Sequence, residues 1–283
     1  MAYSSRTRDV ERYYDSLYLW SQITNRFRAF SSVEEYMIHR PLRDAETGEY
    51  SDRVVHRLIQ RAVADAGPIE ALDAGCGYGG TCLDLHGALG GRWLGVTINR
   101  RQYQIARRNA EAMGVGDRVS FAHTSYDSPL PCRFNLVFGI ESLIHSATPA
   151  ATIANLAGSL LQGGRFIVVD DMPVEPIPPQ YTDALAGFKR MWHCPVMPAA
   201  GQWAQHLEAA GCAVEDIRDL SGLMSPRSEA EVVAELAVIA RRRRWRDLVG
   251  LRMVADAQIG GLLLERLTRE GASQYAMIVA RKR

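Results

Sequence analysis

The hydrophobic positions of the chain follow two alternating periods. "DRVVHRLIQRAVADAG" spaces its apolar residues three and four apart and closes on glycine, which predicts a helix ending at Gly67. "EALDAG" is a short apolar run and predicts a strand; a glycine-rich turn and a helix to Leu89 follow. "RWLGVTI" predicts the next strand and "RRQYQIARRNAEAMG" a helix closed by Gly114. "RVSFAH", "FNLVFGI" and "GRFIVVDD" predict three more strands. Strands and helices in alternation, with apolar strands, predict an α/β fold whose parallel sheet is covered on both faces. Beyond Asp171 the pattern changes to a proline-rich link, "MPVEPIPPQY". A helix ("GQWAQHLEAAG"), a strand ("CAVEDIRDLS") and mostly helix from Glu229 to Glu270 come next, and "QYAMIVARKR" is expected as an edge strand. Ahead of the alternating region, residues from about Arg6 to Phe30 read as helix rich in aromatics: Tyr13, Tyr14, Tyr18, Trp20, Phe27 and Phe30.

Composition narrows the classes. The chain has 283 residues, 47% of them hydrophobic, and a net charge of +1. That balance argues against a broad nucleic-acid footprint. No stretch approaches the about 18 unbroken apolar residues of a membrane span. Five cysteines, odd in number and without a CxxC, predict neither a disulfide framework nor a zinc site. "MAYSSRTRDVERYYD" lacks the apolar centre of a signal peptide, so the expectation is a reduced, cytoplasmic protein.

The chemistry gathers at "EALDAGCGYGGTCLDL". In an open parallel sheet, ligands bind beyond the carboxyl ends of the strands, where this turn must lie. Gly75, Gly77 and Gly79 admit positive φ and close backbone approach. Gly75, Gly77 and Gly80 also satisfy GxGxxG, a pattern too weak alone to choose among nucleotides. Asp73, at the strand end, is more specific. "LDAGCGYGG" resembles motif I of class I S-adenosylmethionine (SAM)-dependent methyltransferases. The resemblance continues in order through "GVTINRRQYQIARRNA", "DRVSFAHTSYDSPLP", "FNLVFGIESLIH" and "LLQGGRFIVVDD", covering about Asp52 to Asp171. It implies a Rossmann-like seven-stranded sheet, an N-terminal helical lid over residues 1–50, and a methyltransferase domain over 51–283 with a small helical insertion at about 171–200. It implies SAM as cofactor, with Gly75 and Gly77 against its methionine part and Asp73 on its ammonium. Thr97 and Ile98 would reach the ribose and adenine, with Gln102 helping, and Thr124, Ser125 and Tyr126 would meet the adenine amino group. Threonine at position 97, in "GVTIN" followed by Gln102, resembles the subgroup of cyclopropane fatty acid synthases, sterol methyltransferases and geranyl diphosphate C-methyltransferases.

The acceptor side is expected on "GIESLIH", where Glu141 and His145 are four apart and share a face if a helical turn follows. In the alkene-methylating subgroup, methyl transfer leaves a carbocation, so a base must remove a proton. Glu141 is the candidate base and His145 its helper or alternative; a helix-capping acid and a locally satisfied histidine are the plain readings of the same residues. Tyr14 is a third catalytic candidate, because ring faces stabilise cations by about 0.5–2 kcal/mol. Tyr18 and Trp20 on the same helix are candidates to bind the substrate, although packing on the sheet explains them as well. "GFKRMWHCPVM" adds Trp192 and His193. "YMIHRPLRD" adds His39, Arg40 and Arg43, and "RRRRWRDLVGLR" an arginine run. Guanidinium forks suit phosphate oxygens, and Mg²⁺ would bridge a diphosphate; a solvated helix face is the alternative for the run. No metal-ligand cluster stands out. The expectation is SAM-dependent C-methylation of an alkene carbon in an isoprenoid, specifically a prenyl diphosphate. The alternative is O- or N-methylation of a small natural product. Apolar stripes in "VVAELAVIARRRRW" and "VADAQIGGLLLERL" suit either a homodimer or core packing.

Overall fold

The computed structural model describes residues 5–24, 39–130, 134–248 and 252–283. Phe27, Phe30 and Cys132 lie outside them, as do the side chains of the arginine run from 242 to 251. Helix α1 (Ser5–Thr24) precedes a small hairpin of β1 (Leu42–Arg43) and β2 (Tyr50–Ser51). The alternating region gives α2 (Val54–Ala62), β3 (Glu70–Ala74), α3 (Gly80–Leu89), β4 (Arg92–Thr97), α4 (Arg100–Ala112), β5 (Val119–His123), β6 (Phe134–Ile140), α5 (Pro149–Ser159) and β7 (Leu160–Pro173). The remainder is α6 (Thr182–Met191), α7 (Ala200–Ala209), β8 (Cys212–Asp219), α8 (Glu229–Leu248), α9 (Arg252–Arg269) and β9 (Ser273–Lys282).

The α/β fold expected from the sequence is present as a seven-stranded sheet, in the order β5-β4-β3-β6-β7-β9-β8. Neighbours from β5 to β7 are parallel; β9 runs antiparallel to both β7 and β8. Apolar side chains cover both faces: Val55, Ile59, Leu85 and Phe138 belong to one cluster, and Leu72, Val137, Ile153 and Trp203 to the other. The chain leaves β3 toward β4 on one side and returns to β6 on the other. The carboxyl ends of β3 and β6 therefore flank the switch point, where such sheets open a crevice. Helix α9 lies against α6, α8 and α1, so the C-terminal helices and the N-terminal helix pack together.

Three boundaries differ from the sequence expectation. Helix α2 stops at Ala62, because "DAGP" turns the chain before β3, and Asp65 in that turn accepts from the Arg165 guanidinium. Strand β7 runs to Pro173, into the stretch expected as insertion. Strand β9 is not an edge: it is hydrogen-bonded on both sides and its residues from Tyr275 to Ala280 are buried, while the charged strand β8 takes the edge. Charges along an edge protect it from pairing with other chains. No helix among the described residues is long and apolar enough to cross a membrane. Ile278 is fully buried and pairs with Val168 and Ile217. Ile278→Ala should therefore cost about 2–5 kcal/mol in urea unfolding, as a core deletion does; a loss under about 1 kcal/mol would return β9 to the edge.

Candidate active site

A cavity of about 1010 Å³ opens at the switch point. Its lining comes from the ends of β3, β4, β6 and β7, from α1 and α4, from the His39 segment, and from Trp192, Ala257 and Gln258. Two glycines of the turn after β3 have distinct tasks. Gly75 has φ +105°, and a Cβ there would stand 2.5 Å from the Ser142 Cβ. Gly77 has φ +52° and open space where its Cβ would be, so the backbone itself forms the cavity wall. Such bare backbone at a helix start can lie directly against a ligand.

Asp73 ends β3, is 3% exposed and lines the cavity. Its hydrogen-bond donor is the Cys82 thiol at 3.4 Å. Burial pushes its carboxyl up to about 7. A buried acid with so weak an internal partner suits a cationic ligand group. Thr97 and Ile98 line the same end, and the Thr97 hydroxyl donates to the Gln102 Oε1 at 2.9 Å. Asn99 caps α4 through Gln102 N and also donates to Asp15 on α1 at 3.1 Å, tying that helix to the loop after β4. Thr124 and Tyr126 line the cavity; Ser125 turns away to Asp127. An acid, a bare backbone and polar side chains thus line one end of the cavity, a set whose chemistry fits the ammonium, methionine and nucleoside parts of SAM.

At the other end, Glu141 follows β6 with φ +50°, a conformation that non-glycine residues hold only where their surroundings impose it. Its amide is fixed by the Val169 carbonyl at 2.8 Å. Its carboxylate accepts from the Tyr275 hydroxyl at 2.8 Å and the Arg40 amide at 3.2 Å. A 3-10 turn, Leu143–His145, comes next, and both Glu141 and His145 line the cavity. The Asp170 carboxylate accepts from Ile144 N at 2.9 Å and from Asp171 N at 3.0 Å, which holds that turn. The His145 Nδ1 faces the His193 carbonyl at 3.5 Å and its Nε2 faces the Tyr14 hydroxyl at 2.9 Å. A carbonyl can only accept, so Nδ1 carries the proton and Nε2 is left as acceptor for Tyr14. Burial lowers His145 to about 4, so the imidazole is neutral at pH 7; burial raises Tyr14.

Other sequence candidates fall into place around this centre. Tyr18 lines the cavity, with Tyr78 beside it and the Arg101 guanidinium over its ring. Trp20, on the same helix, is not in the lining. His39 lines the cavity and meets the Thr81 hydroxyl at 2.6 Å. Trp192 lines it and donates its indole N–H to the Ala257 carbonyl; His193 lies behind, with its ring against Tyr13. Arg43 is exposed in β1 and bonds the Gly48 carbonyl. Arg40, expected to offer a fork to phosphate, is committed elsewhere: its two terminal nitrogens grip both oxygens of the buried Asp171 at 2.7 and 2.9 Å, and it stacks over the Tyr275 ring. Among the described residues lining the cavity, Arg108 is the sole arginine or lysine. No group of three or more His, Cys, Asp or Glu among the described residues is placed to hold a metal ion.

Asp170, Asp171 and Tyr275 were missed by sequence reasoning. The "VVDD" acids carry the same signal as Asp73, an apolar run ending in a carboxylate at the working edge of a parallel sheet. Tyr275, 134 residues from Glu141, has no local signal. Removing Arg40 would leave Asp171 buried without its counter-charge. Burial already raises the Asp171 carboxyl and Arg40 lowers it again, so without Arg40 it would ionise only at higher pH. Arg40→Ala should cost about 3–5 kcal/mol at pH 8 and progressively less as the pH falls and the unpaired Asp171 takes up a proton; a loss in urea unfolding that does not change with pH would contradict this.

Residues 71–164 match the family model described as a methyltransferase domain. Methyltransferase GfsG of Streptomyces halstedii is 26% identical over 73% of this chain and 77% of its own length. O-methyltransferase cnsE of Penicillium expansum is 26% identical over 65% of this chain and 67% of its own. The crystal structure of geranyl diphosphate C-methyltransferase from Streptomyces coelicolor A3(2), with Mg²⁺, geranyl diphosphate and S-adenosyl-L-homocysteine, superposes with a TM-score of 0.66 at 20% identity, covering 99% of this chain and 98% of that one. The domain match and the strand order agree: residues 71–164 carry a methyltransferase domain on the class I methyltransferase fold, and the chain is supported as a SAM-dependent transferase.

Proposed function

We propose that the enzyme methylates a hydroxyl oxygen of a small, largely apolar molecule, with Tyr14 and His145 removing the proton. The observation that carries this reading is the Tyr14–His145 hydrogen bond at the cavity, in which the imidazole is neutral and presents its acceptor nitrogen. Bound SAM supplies a sulfonium-activated methyl group. An oxygen that gains a methyl group while still protonated becomes strongly acidic, so even a weakly basic imidazole can accept its proton. The proton moves from the acceptor hydroxyl to the Tyr14 oxygen as the Tyr14 proton passes to His145 Nε2. His193 fixes the ring through Nδ1, and Asp170 fixes the turn that carries it. Rings of Tyr13, Tyr14 and Trp192 with Ile140 and Ile144 form an apolar acceptor end. Helix α1, seated by Asn99 and His145, acts as the lid, and the sheet domain with its α6 insertion holds the cofactor. The O-methyltransferase among the relatives supports the oxygen acceptor.

A second reading keeps the alkene. Glu141 presents a carboxylate to the same ring-lined cavity, positioned as a base for a carbocation, and a prenyl diphosphate C-methyltransferase shares the fold. The engagement of Arg40 by Asp171 weighs against a diphosphate anchored there.

Two variants separate the readings. His145→Gln should lower kcat by about 10²–10⁴-fold on a hydroxylated acceptor with SAM affinity unchanged, and Tyr14→Phe should lose part of the same rate. The panel pairs simple phenols and hydroxylated terpenoids with geranyl and farnesyl diphosphates, each with and without Mg²⁺, and scores label transferred from SAM. If product forms from a diphosphate and Glu141→Gln rather than His145→Gln abolishes it, the alkene reading replaces the oxygen one. Asp73 gives a further test. Its ionised form would hold the ammonium, and its carboxyl sits at about 7, so SAM affinity should rise with pH through that value. Calorimetry should find binding about tenfold weaker at pH 6 than at pH 8; Asp73→Asn should bind weakly with no such pH dependence.

A further inference from the structure

We infer that Gly260 and Trp192 together set the size of acceptor that the cavity admits, Gly260 acting through the seat it provides for the indole. The inference rests on the acceptor lying at the apolar end described above. Trp192 follows α6, and Gly260 lies in the middle of α9. A Cβ on Gly260 would stand 2.4 Å from the Trp192 Cδ1 and 2.6 Å from its Nε1. A Cβ on the neighbouring Gly261 would be 3.6 Å from the indole Cζ2. The indole therefore packs against the Gly260 backbone at a distance that admits no Cβ there, while position 261 leaves ordinary contact room. Its N–H donates to the Ala257 carbonyl at 2.9 Å, one turn earlier on α9, and the Phe188 ring stands 5.2 Å away. Trp192, Ala257 and Gln258 all line the cavity.

Glycine inside a helix is unfavourable relative to alanine, so propensity does not explain Gly260. The close approach of the indole does. The same short turn adjoins the base: the His193 carbonyl faces His145 Nδ1, and the Cys194 thiol donates to the Trp192 carbonyl at 3.4 Å. The group next to the reacting hydroxyl thus meets the Trp192 wall. An alanine at 260 would push the indole off α9. Phe188 blocks one side, so the ring would move into the cavity and lose its bond to Ala257. A smaller residue at 192 would instead open the space over Gly260 and Gly261.

The test uses the whole enzyme saturated with S-adenosylhomocysteine and a series of 4-alkylphenols from methyl to octyl as binding probes, read by calorimetry. Wild type should show a preferred alkyl length. Gly260→Ala should shift the preference at least two carbons shorter, and Trp192→Ala at least two carbons longer, each with S-adenosylhomocysteine affinity within about twofold of wild type. Trp192→Phe, which keeps a ring against α9, should shift less than Trp192→Ala and serves if that variant does not fold. An unchanged length preference in Gly260→Ala and Trp192→Phe, with probes still binding, would overturn the inference alone. Failure of every alkylphenol to bind wild type would overturn the acceptor reading and this inference with it.

Discussion

Burying several carboxylates beyond the ends of parallel strands is the constraint around which this molecule is arranged. Asp73 ends β3, Glu141 follows β6, and Asp170 and Asp171 lie near the end of β7; all four line one cavity. Charges removed from water must be answered by partners or given up to protonation. Three of the four are answered from within. Asp171 holds the Arg40 guanidinium, Asp170 takes two backbone amides, and Glu141 takes the Tyr275 hydroxyl and the Arg40 amide. Asp73 has a thiol, the weakest donor of the set. The acid left least satisfied stands beside the bare backbone of Gly77, which is the place a cationic cofactor would complete.

That arrangement explains why distant parts of the chain must meet. The answers to the strand-end acids do not come from the sheet's own helices. Arg40 comes from the segment before the sheet, and Tyr275 from the last strand. Strand β9 pairs directly with β7 and so delivers Tyr275 beside Asp171, its partner in the β7 register.

The sequence made the sheet and the cofactor end legible because both are written locally. Apolar runs of strand length, capped helices and "LDAGCGYGG" each carry their meaning within ten residues. Helix α2 was overextended because Ala62–Ala66 has good helix propensity, and the Asp65–Arg165 contact that helps fix the turn is 100 residues away. Arg40 was misread for the same reason: a free guanidinium and one engaged by Asp171 look alike in a sequence. Glu141 and His145 were found by their spacing, but the roles that separate them depend on Tyr14, Tyr275 and His193. Those partners are 131, 134 and 48 residues away.

The Tyr14–His145 contact joins α1 to the turn after β6. Tyr14 belongs to α1, which the Asn99 side chain anchors through Asp15 and the Glu11 carbonyl. His145 belongs to a turn fixed by Asp170 and oriented by His193. The hydroxyl that would pass a proton to the imidazole is present at the cavity only while α1 is seated. Asn99 sits between the strand that ends in Thr97 and α4, whose first turn carries Gln102, and both Thr97 and Gln102 line the cavity. One side chain therefore ties the helix that carries Tyr14 to the loop after β4. A fold that placed these residues on independent elements would let the base pair form without the cofactor loop; here a single helix must satisfy both ends of the cavity at once.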